Sequence, residues 1–558
     1  MPGDAGPGLS ANAYSTMSVQ KYVPQEWSIQ KEAGLRKSGL RHKLLQVFPT
    51  WESDQRACQQ ITLHLGPTNS GKTFQALNVL VEAGSGWYLS PLRLLAHEIY
   101  DTLNRRGVPC SLLTGEESIP VQGARITAST IEMFDPRRSG ECVVIDEAHM
   151  LTDPQRGWAW TRAIMEATAP NIHIIGAPFI ESLVTRMVKG AGMKIEKIEH
   201  ARLTPLKVTR SPWYLARLPR RTILVAFSRA TVLSLKTELE RRHGRSVSVV
   251  YGNLPPEVRL NQAERFASGV NEICVATDAV GMGLNLPADN VCFFETEKFD
   301  GHDRRSLTAN EIRQIGGRAG RFGLSEFGQV GALTQGDLQI IDKAIHQPIR
   351  EYSYAHVFPT PESLDLIPGK LAEKLQKWMQ LQDIPAKWKR ILRTADLSQQ
   401  IELAELLSPD EVKQLGPERA LKLINAPVYR ETENYWLLCA RSIIAGKAMP
   451  PPGTPRTKGL NNAEDLKAYE QAIRSADCYL WLSQRDEFHP YGNQSGMVRA
   501  QRARWAAEVD AALQRRIDTS RRCPSCGRPL PIKYPYKICN RCYRSGLEYR
   551  LFEMWESD

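Results

Sequence analysis

Residues Gly66 to Thr73 read GPTNSGKT, which fills the phosphate-loop pattern G-x-x-x-x-G-K-[ST] at every specified position. An apolar run (Ile61, Leu63, Leu65) precedes the loop, and a segment free of Gly and Pro (Phe74 to Leu80) follows it. Strand, loop and helix therefore arrive in the order the motif requires, which predicts an α/β domain with a parallel sheet. Gly66, Pro67, Thr68, Asn69, Ser70, Gly71, Lys72 and Thr73 are the expected phosphate cradle. Backbone N–H groups and a helix N-terminus face the anion, Lys72 reaches the β and γ oxygens, and Thr73 holds Mg²⁺. ATP and Mg²⁺ are the expected cofactors.

Outward from this loop, short β-rich runs alternate with helical stretches: ITLHL, GWYLS, RITAS, CVVID and IHIIG up to about Thr204. The rhythm returns from Pro205 to about Tyr354 with ILVAF, VSVVY, EICVAT, NVCFFE and GALT. Strands alternating with helical patterns predict two parallel-sheet domains in tandem. After Phe358 the pattern turns helical, with Leu371, Leu375 and Trp378 at helical spacing. MPPPGTPR, Met449 to Arg456, is a stiff Pro-rich break, and beyond it two more helical segments are predicted, the second carrying Trp505, Val509, Leu513 and Ile517 on one face as core packing. Residues 1 to about 55 read as a polar start followed by one or two basic helices, Trp27 to Leu45.

Two further segments carry chemistry. In Val143-Val144-Ile145-Asp146-Glu147-Ala148-His149 a buried strand ends in adjacent carboxylates. Asp146 suits the Mg²⁺ shell, and Glu147 suits the orientation and deprotonation of an attacking water. No other His sits nearby in sequence, so His149 is read as coupling the hydrolysis site to the second domain rather than as a metal ligand. Gln314 to Arg321 reads QIGGRAGR, the pattern Q-x-x-G-R-x-G-R. On a helix, Arg318 and Arg321 would share a face and reach across a cleft toward a γ-phosphate as arginine fingers.

Composition admits several soluble domains: 558 residues, 42% hydrophobic and 24% charged. No apolar run approaches the ~20 residues of a spanning helix. The start lacks a signal-peptide core and an Arg-rich amphipathic presequence. Seven of the eleven cysteines are scattered, several in apolar strands, as in a reducing compartment. A cytoplasmic protein without membrane contact is the expectation.

Much of the net charge of +11 sits at the end of the chain: Arg499 to Arg550 holds thirteen Lys and Arg against four Asp and Glu, so 13 − 4 = +9. That concentration suits a polyanionic partner. The same tail carries Cys523-x-x-Cys526, twelve residues, then Cys539-x-x-Cys542, two knuckles whose four thiolates suit a structural tetrahedral Zn²⁺. Lys533, Tyr534, Tyr536, Lys537, Arg541, Tyr543 and Arg544 surround them, a composition suited to phosphate contact and base stacking.

GPTNSGKT, SPLRLLAHEIYDTLNRRGVPCSLLTGEE (Ser90 to Glu117), DPQRGWAWTRA (Asp153 to Ala163), YGNLPPEVRLNQAERF (Tyr251 to Phe266), VATDAVGMGLNLP (Val275 to Pro287) and QIGGRAGRFG together resemble the superfamily 2 DExH helicases. Within them the chain is most similar to the mitochondrial degradosome RNA helicases and their bacterial relatives. The resemblance is dense from about 60 to 330 and continues thinly through NAPV (Asn425 to Val428) and YLWLSQR (Tyr479 to Arg485). It implies two tandem RecA-like parallel-sheet domains followed by helical domains and, here, a small four-cysteine zinc ribbon. It also implies ATP hydrolysis and movement along a single strand, 3′ to 5′ by analogy.

The expected boundaries are an N-terminal helical region 1–55, RecA-like domains 56–204 and 205–355, a helical domain 356–448, a Pro-rich linker 449–459, a helical region 460–520 and the ribbon 521–548. Carried onto matching positions, the strand-contacting motifs become Pro91, Arg93, Thr130 and Glu132 in the first domain and Ser228, Arg229 and Thr277 in the second. Asp278, Gly281 and Gly283 link the strand path to the nucleotide cleft. Two features depart from the family pattern: His149 stands where Gln is usual, and the mitochondrial members are not expected to carry the cysteine tail. The implied partner is a single strand of nucleic acid, RNA favoured over DNA, with a monomer favoured and any nuclease or other protein partner unidentified. The readings left open are a DNA or DNA/RNA-hybrid helicase, a remodelling ATPase that separates no strands, and a zinc-binding tail as the main functional module.

Overall fold

The computed structural model describes residues 51, 54–278, 286–299, 303–320, 325–380, 385, 387–457, 459–515, 517–520, 522–532, 534, 536 and 538–545. The first domain runs β1 (Gln60–Leu65), α1 (Lys72–Ala83), β2 (Gly86–Ser90), α2 (Arg93–Arg105), β3 (Cys110–Leu113), β4 (Ser118–Ile119), β5 (Ile126–Thr130), β6 (Cys142–Ile145), α3 (Gly157–Glu166), β7 (Asn171–Gly176), α4 (Glu181–Gly190) and β8 (Lys194–Glu199). Its eight strands lie in the order β4-β3-β5-β2-β6-β7-β1-β8, parallel except for the β3–β4 pair. Both faces are covered by helices, so an inner strand can be apolar from end to end, as CVVI of β6 is, which is buried throughout.

The second domain repeats the plan with β9 (Leu206–Val208), β10 (Thr222–Val225), α5 (Arg229–His243), β11 (Val247–Val250), α6 (Pro256–Ala267), β12 (Ile273–Ala276), β13 (Asn290–Phe293), an antiparallel pair β14 (Glu297–Phe299) and β15 (Arg304–Ser306), α7 (Ala309–Gly316), β16 (Gly328–Ala332) and α8 (Gln335–His346). The parallel sheet has the order β11-β12-β10-β13-β16-β9. In such sheets ligands gather at the carboxyl ends of the strands, and the phosphate loop, Pro91, Thr130, Asp146-Glu147, Ser228 and Thr277 all stand at or just past strand ends, whereas QIGGRAGR begins on α7.

Two short parallel strands, β17 (Ala355–Val357) and β18 (Leu392–Thr394), lead into the helical region. There α9 (Leu371–Met379) buries Leu371, Leu375 and Trp378 as the spacing predicts. After an irregular Pro-rich stretch come two long helices, α10 (Ala463–Ser483) and α11 (Ser495–Gln514). Trp505, Val509 and Leu513 are buried on α11, but the helix ends at Gln514, so Ile517 packs from the segment beyond it. The predicted helices between Trp27 and Leu45 lie outside the described residues. Among the described residues no helix is long and apolar enough to cross a membrane.

Candidate active site

The turn from β1 into α1 is shaped by backbone freedom. Gly71 takes φ +77° at the helix N-cap and Asn69 takes φ +65°. A Cβ on Gly66 would stand 2.7 Å from the His200 carbonyl oxygen and 2.8 Å from Ser70 Oγ. Lys72 Nζ donates to the Pro67 carbonyl at 3.0 Å. Burial lowers its pKa, against the raising effect of Glu147 and Asp146. Ser70 Oγ is buried without a protein partner. A close-walled loop with an orphaned hydroxyl and a buried ammonium fits a phosphate chain.

At the end of β6, Asp146 is held from several sides. Tyr88 OH donates to its Oδ2 at 2.6 Å, Thr73 Oγ1 to the same oxygen at 3.3 Å, and Trp160 Nε1 to its carbonyl at 3.0 Å. The Thr73 hydroxyl and Asp146 carboxylate thus meet as a Mg²⁺ shell requires. Glu147 sits at φ +48°, a left-handed conformation costing a non-glycine residue about 1–2 kcal/mol; its N–H donates to Asp146 Oδ1 at 2.7 Å. The two carboxylates are driven apart in acidity. Burial, then the Glu147 charge, pushes Asp146 up to about 6. Burial also pushes Glu147 upward, but the His149 hydrogen bond and the charges of His149, Arg318 and Lys72 outweigh it and hold Glu147 at about 2.

The second domain completes the site. His149 Nδ1 lies 3.2 Å from Glu147 Oε2, and its Nε2 meets the Gln314 side-chain amide from α7. Arg318 Nη2 is 3.8 Å from Glu147 Oε1. Gly66, Thr68, Asn69, Lys72, Thr73, Asp146, Glu147, His149, Gln314 and Arg318 line one cavity of about 250 Å³. A larger recess of about 930 Å³, among residues 361–441, is lined by Lys370, Lys374, Lys413 and Arg441 interspersed with Asp365, Glu373, Glu405 and Glu411 and has neither a phosphate loop nor an adjacent acid pair, so chemistry rather than size identifies the site.

One expectation needs correction. Arg318 is not on a helix: α7 ends at Gly316, and Arg318 lies in the following turn, where Gly317 packs against Arg313 O and Thr68. The Gly316-Gly317 pair breaks the helix before a shared arginine face can form. Arg321, Gly281 and Gly283 lie outside the described residues.

The positions assigned to strand contact do stand at strand ends, yet many are already paired. Pro91 and Glu132 share Arg156, whose Nη2 donates to the Pro91 carbonyl at 2.7 Å and to Glu132 Oε1 at 2.7 Å. Arg93 pairs with Glu116 at 3.0 Å and Asp477 at 3.4 Å. Arg229 pairs with Glu470 at 2.7 Å, and Tyr251 OH donates to the same carboxylate at 2.6 Å. Ser228 caps α5 through Thr231 N–H, Thr130 is buried, and Thr277 follows β12. Glu470 and Asp477 are seven residues apart on α10 and share a face, so this helix bridges both domains, with Arg502 of α11 tying Asp477 to Glu257 of α6.

The motifs missed Tyr88, Arg156, Arg202, Glu470, Asp477 and Arg502. Arg202, between the domains, donates to the carbonyls of Thr68 at 3.0 Å and Gly317 at 2.7 Å and also reaches Ala319, joining the phosphate loop to the QIGGRAGR segment. Two acids at heptad spacing among the apolar positions of α10, Glu470 buried and Asp477 half-buried, were the available signal for this bridge.

In the cysteine tail, the four Sγ atoms lie within 4.8 Å of one another. Cys526 and Cys539 Sγ are 3.6 Å apart, near the ~3.8 Å edge of a tetrahedron with 2.3 Å Zn–S bonds. The Cys539 N–H points to Cys523 Sγ at 3.4 Å, and Gly527 makes the knuckle turn at φ +68°.

A phosphate loop and its acid pair on one α/β domain, completed by glutamine and arginine from a second, define a two-domain motor ATPase of the helicase type. Residues 47–200 match the DEXQ-box helicase domain of Suv3 and residues 208–323 the helicase conserved C-terminal domain. The chain is 35% identical over 449 residues to the DExH-box ATP-dependent RNA helicase DExH16, mitochondrial, of Arabidopsis thaliana, covering 77% of this chain and 76% of that one. It is 34% identical over 472 residues to the ATP-dependent RNA helicase SUV3, mitochondrial, of Saccharomyces paradoxus (78% and 62%). To the Homo sapiens SUPV3L1 helicase, also named mitochondrial, it is 33% identical over 474 residues (79% and 58%). The chain belongs to the Suv3 family of DExH-box RNA helicases. It spans about three-fifths of the yeast and human relatives' length.

These relatives overturn the cytoplasmic expectation, since their names place them in mitochondria. That expectation rested on buried thiols, which suit any compartment that keeps them reduced, and on the composition of the start. His149 occupies the position for which the matched domain is named DEXQ.

Proposed function

We propose that the chain is an ATP- and Mg²⁺-dependent RNA helicase that moves 3′ to 5′ along a single strand and separates duplexes in its path. The observation that carries this reading is the one cavity in which Lys72, Thr73, Asp146 and Glu147 of the first domain face Gln314 and Arg318 of the second. Lys72, Thr73 and Asp146 would hold the triphosphate and its magnesium, which supply the phosphoryl group and neutralise its charge. Glu147, kept ionised by His149 and Arg318, is poised to orient a water and accept its proton. Arg318 adds positive charge from the opposite domain, so turnover depends on closure. His149 and Gln314 relay the acid's position to that domain. Pro91, Arg93, Thr130, Glu132, Ser228, Arg229 and Thr277 form or position the strand path, and one chain supplies both halves of the site, so a monomer suffices. Cys523, Cys526, Cys539 and Cys542 hold one structural Zn²⁺.

Strand displacement from RNA and DNA duplexes with 3′, 5′ or no tails tests this. ATP-driven unwinding of the 3′-tailed RNA is expected. Activity confined to DNA would favour a DNA helicase, and polymer-stimulated hydrolysis without displacement a remodelling ATPase.

A further inference from the structure

The cysteine module is too small to be stable on apolar burial. Its core is Cys523, Leu530, Cys539 and Cys542, with Tyr534 and Ile538 packed against them. Even so, Tyr536 is 66% exposed and Tyr543 60%. Residues 519–545 contain seven Lys and Arg and no Asp or Glu. Four thiolates and one Zn²⁺ contribute −2, so the module carries 7 − 2 = +5. Several arginines of the motor are matched with carboxylates, as Arg93, Arg229 and Arg502 are. Arg528, Arg541 and Arg544 are exposed, and among the described residues none pairs with a carboxylate.

The module's root is fixed to the motor. Thr519 Oγ1 donates to the Leu233 carbonyl at 2.9 Å, and Thr519 N–H donates to Thr237 Oγ1 at 3.2 Å. Asp518 pairs with Arg241 at 3.2 Å and also with Arg522. Leu233 and Thr237 lie on α5, the helix that begins at Ser228 and Arg229 on the proposed strand path. One helical turn from Arg229 to Leu233 is about 6 Å. The module therefore travels with the second domain.

We propose that this module is a second binding site for single-stranded nucleic acid, with Arg528, Arg541 and Arg544 on the phosphates and Tyr536 and Tyr543 under unpaired bases. Exposed tyrosines beside unpaired guanidiniums match the needs of a flexible polyanion whose bases offer free faces, which a stacked duplex does not. The site holds a strand that the second domain is moving. It rests on the helicase reading, which it extends.

The test uses the full-length, zinc-loaded protein and its Tyr536→Ala/Tyr543→Ala and Arg541→Gln/Arg544→Gln variants. Binding of labelled oligo(U) and oligo(dT) is measured across salt concentrations, alongside zinc content and polymer-free ATP turnover. The tyrosine variant should bind about tenfold or more weakly. The arginine variant should lower the slope of log affinity against log salt by about 1.4, two phosphates at 0.7 each. Zinc content and polymer-free turnover should not change in either, because none of the four residues is a ligand or touches ATP. Equal losses on the two oligomers would mark backbone and base contact, and a loss on RNA alone a contact to the 2′-OH; both support the site. Unchanged affinity and slope with zinc intact would overturn the proposal and leave the surface to a protein partner. If the parent protein itself binds neither oligomer, the helicase reading fails first.

Discussion

At the residue scale the site divides its labour by electrostatics. Asp146 and Glu147 are neighbours in a buried place, and the protein keeps them distinct by giving Tyr88 and Thr73 to one and His149 and Arg318 to the other. Lys72→Ala should remove the buried ammonium and weaken nucleotide binding, whereas Glu147→Gln should keep binding and lose hydrolysis. Nucleotide titration and steady-state turnover on both variants separate the two effects, and retained turnover in Glu147→Gln would take that residue out of the water-activating role. Lys72, Asp146, Glu147 and Gln314 were legible in sequence because each sits in a short motif. Tyr88 and Arg202 were not, since a hydrogen bond from Tyr88 to an acid fifty-eight residues away leaves no local trace.

At the scale of elements, β1, β2, β5, β6 and β7 were readable as short β-rich runs alternating with helical stretches, the pattern of a parallel sheet covered by helices on both faces. The edge strand β8, KIEKIE, exposes four Lys and Glu around two partly buried Ile, and strand signal is weak where most residues face water. Helix α10 was expected as a helical segment beyond the Pro-rich break, but its tie between the domains through Glu470 and Asp477 was not legible. Glu470 is 3% exposed and serves both Arg229 and Tyr251. Glu470→Ala should leave a guanidinium and a buried hydroxyl without their acceptor and cost about 2–3 kcal/mol. Glu470→Gln, which keeps an acceptor, should cost less. Urea unfolding of both variants decides it: equal stability with the parent would mean that α10 rests on the domains without holding them.

Across the whole molecule, the central claim is that two α/β domains make one ATP site whose closure depends on a bound strand. Each half is incomplete: the phosphate loop and acid pair lie on the first domain, and Gln314 and Arg318 reach them from the second. The tandem architecture and both halves were visible from the motifs, whereas their meeting through His149, Gln314 and Arg202 needed the fold. The most direct measurement is ATP turnover by the parent protein and Arg318→Ala, with and without single-stranded RNA, together with RNA affinity. The account predicts that RNA raises parental turnover about tenfold or more, and that Arg318→Ala loses about a thousandfold of the stimulated rate while binding RNA as before. Parental turnover indifferent to RNA, or normal stimulated turnover in Arg318→Ala, would contradict it.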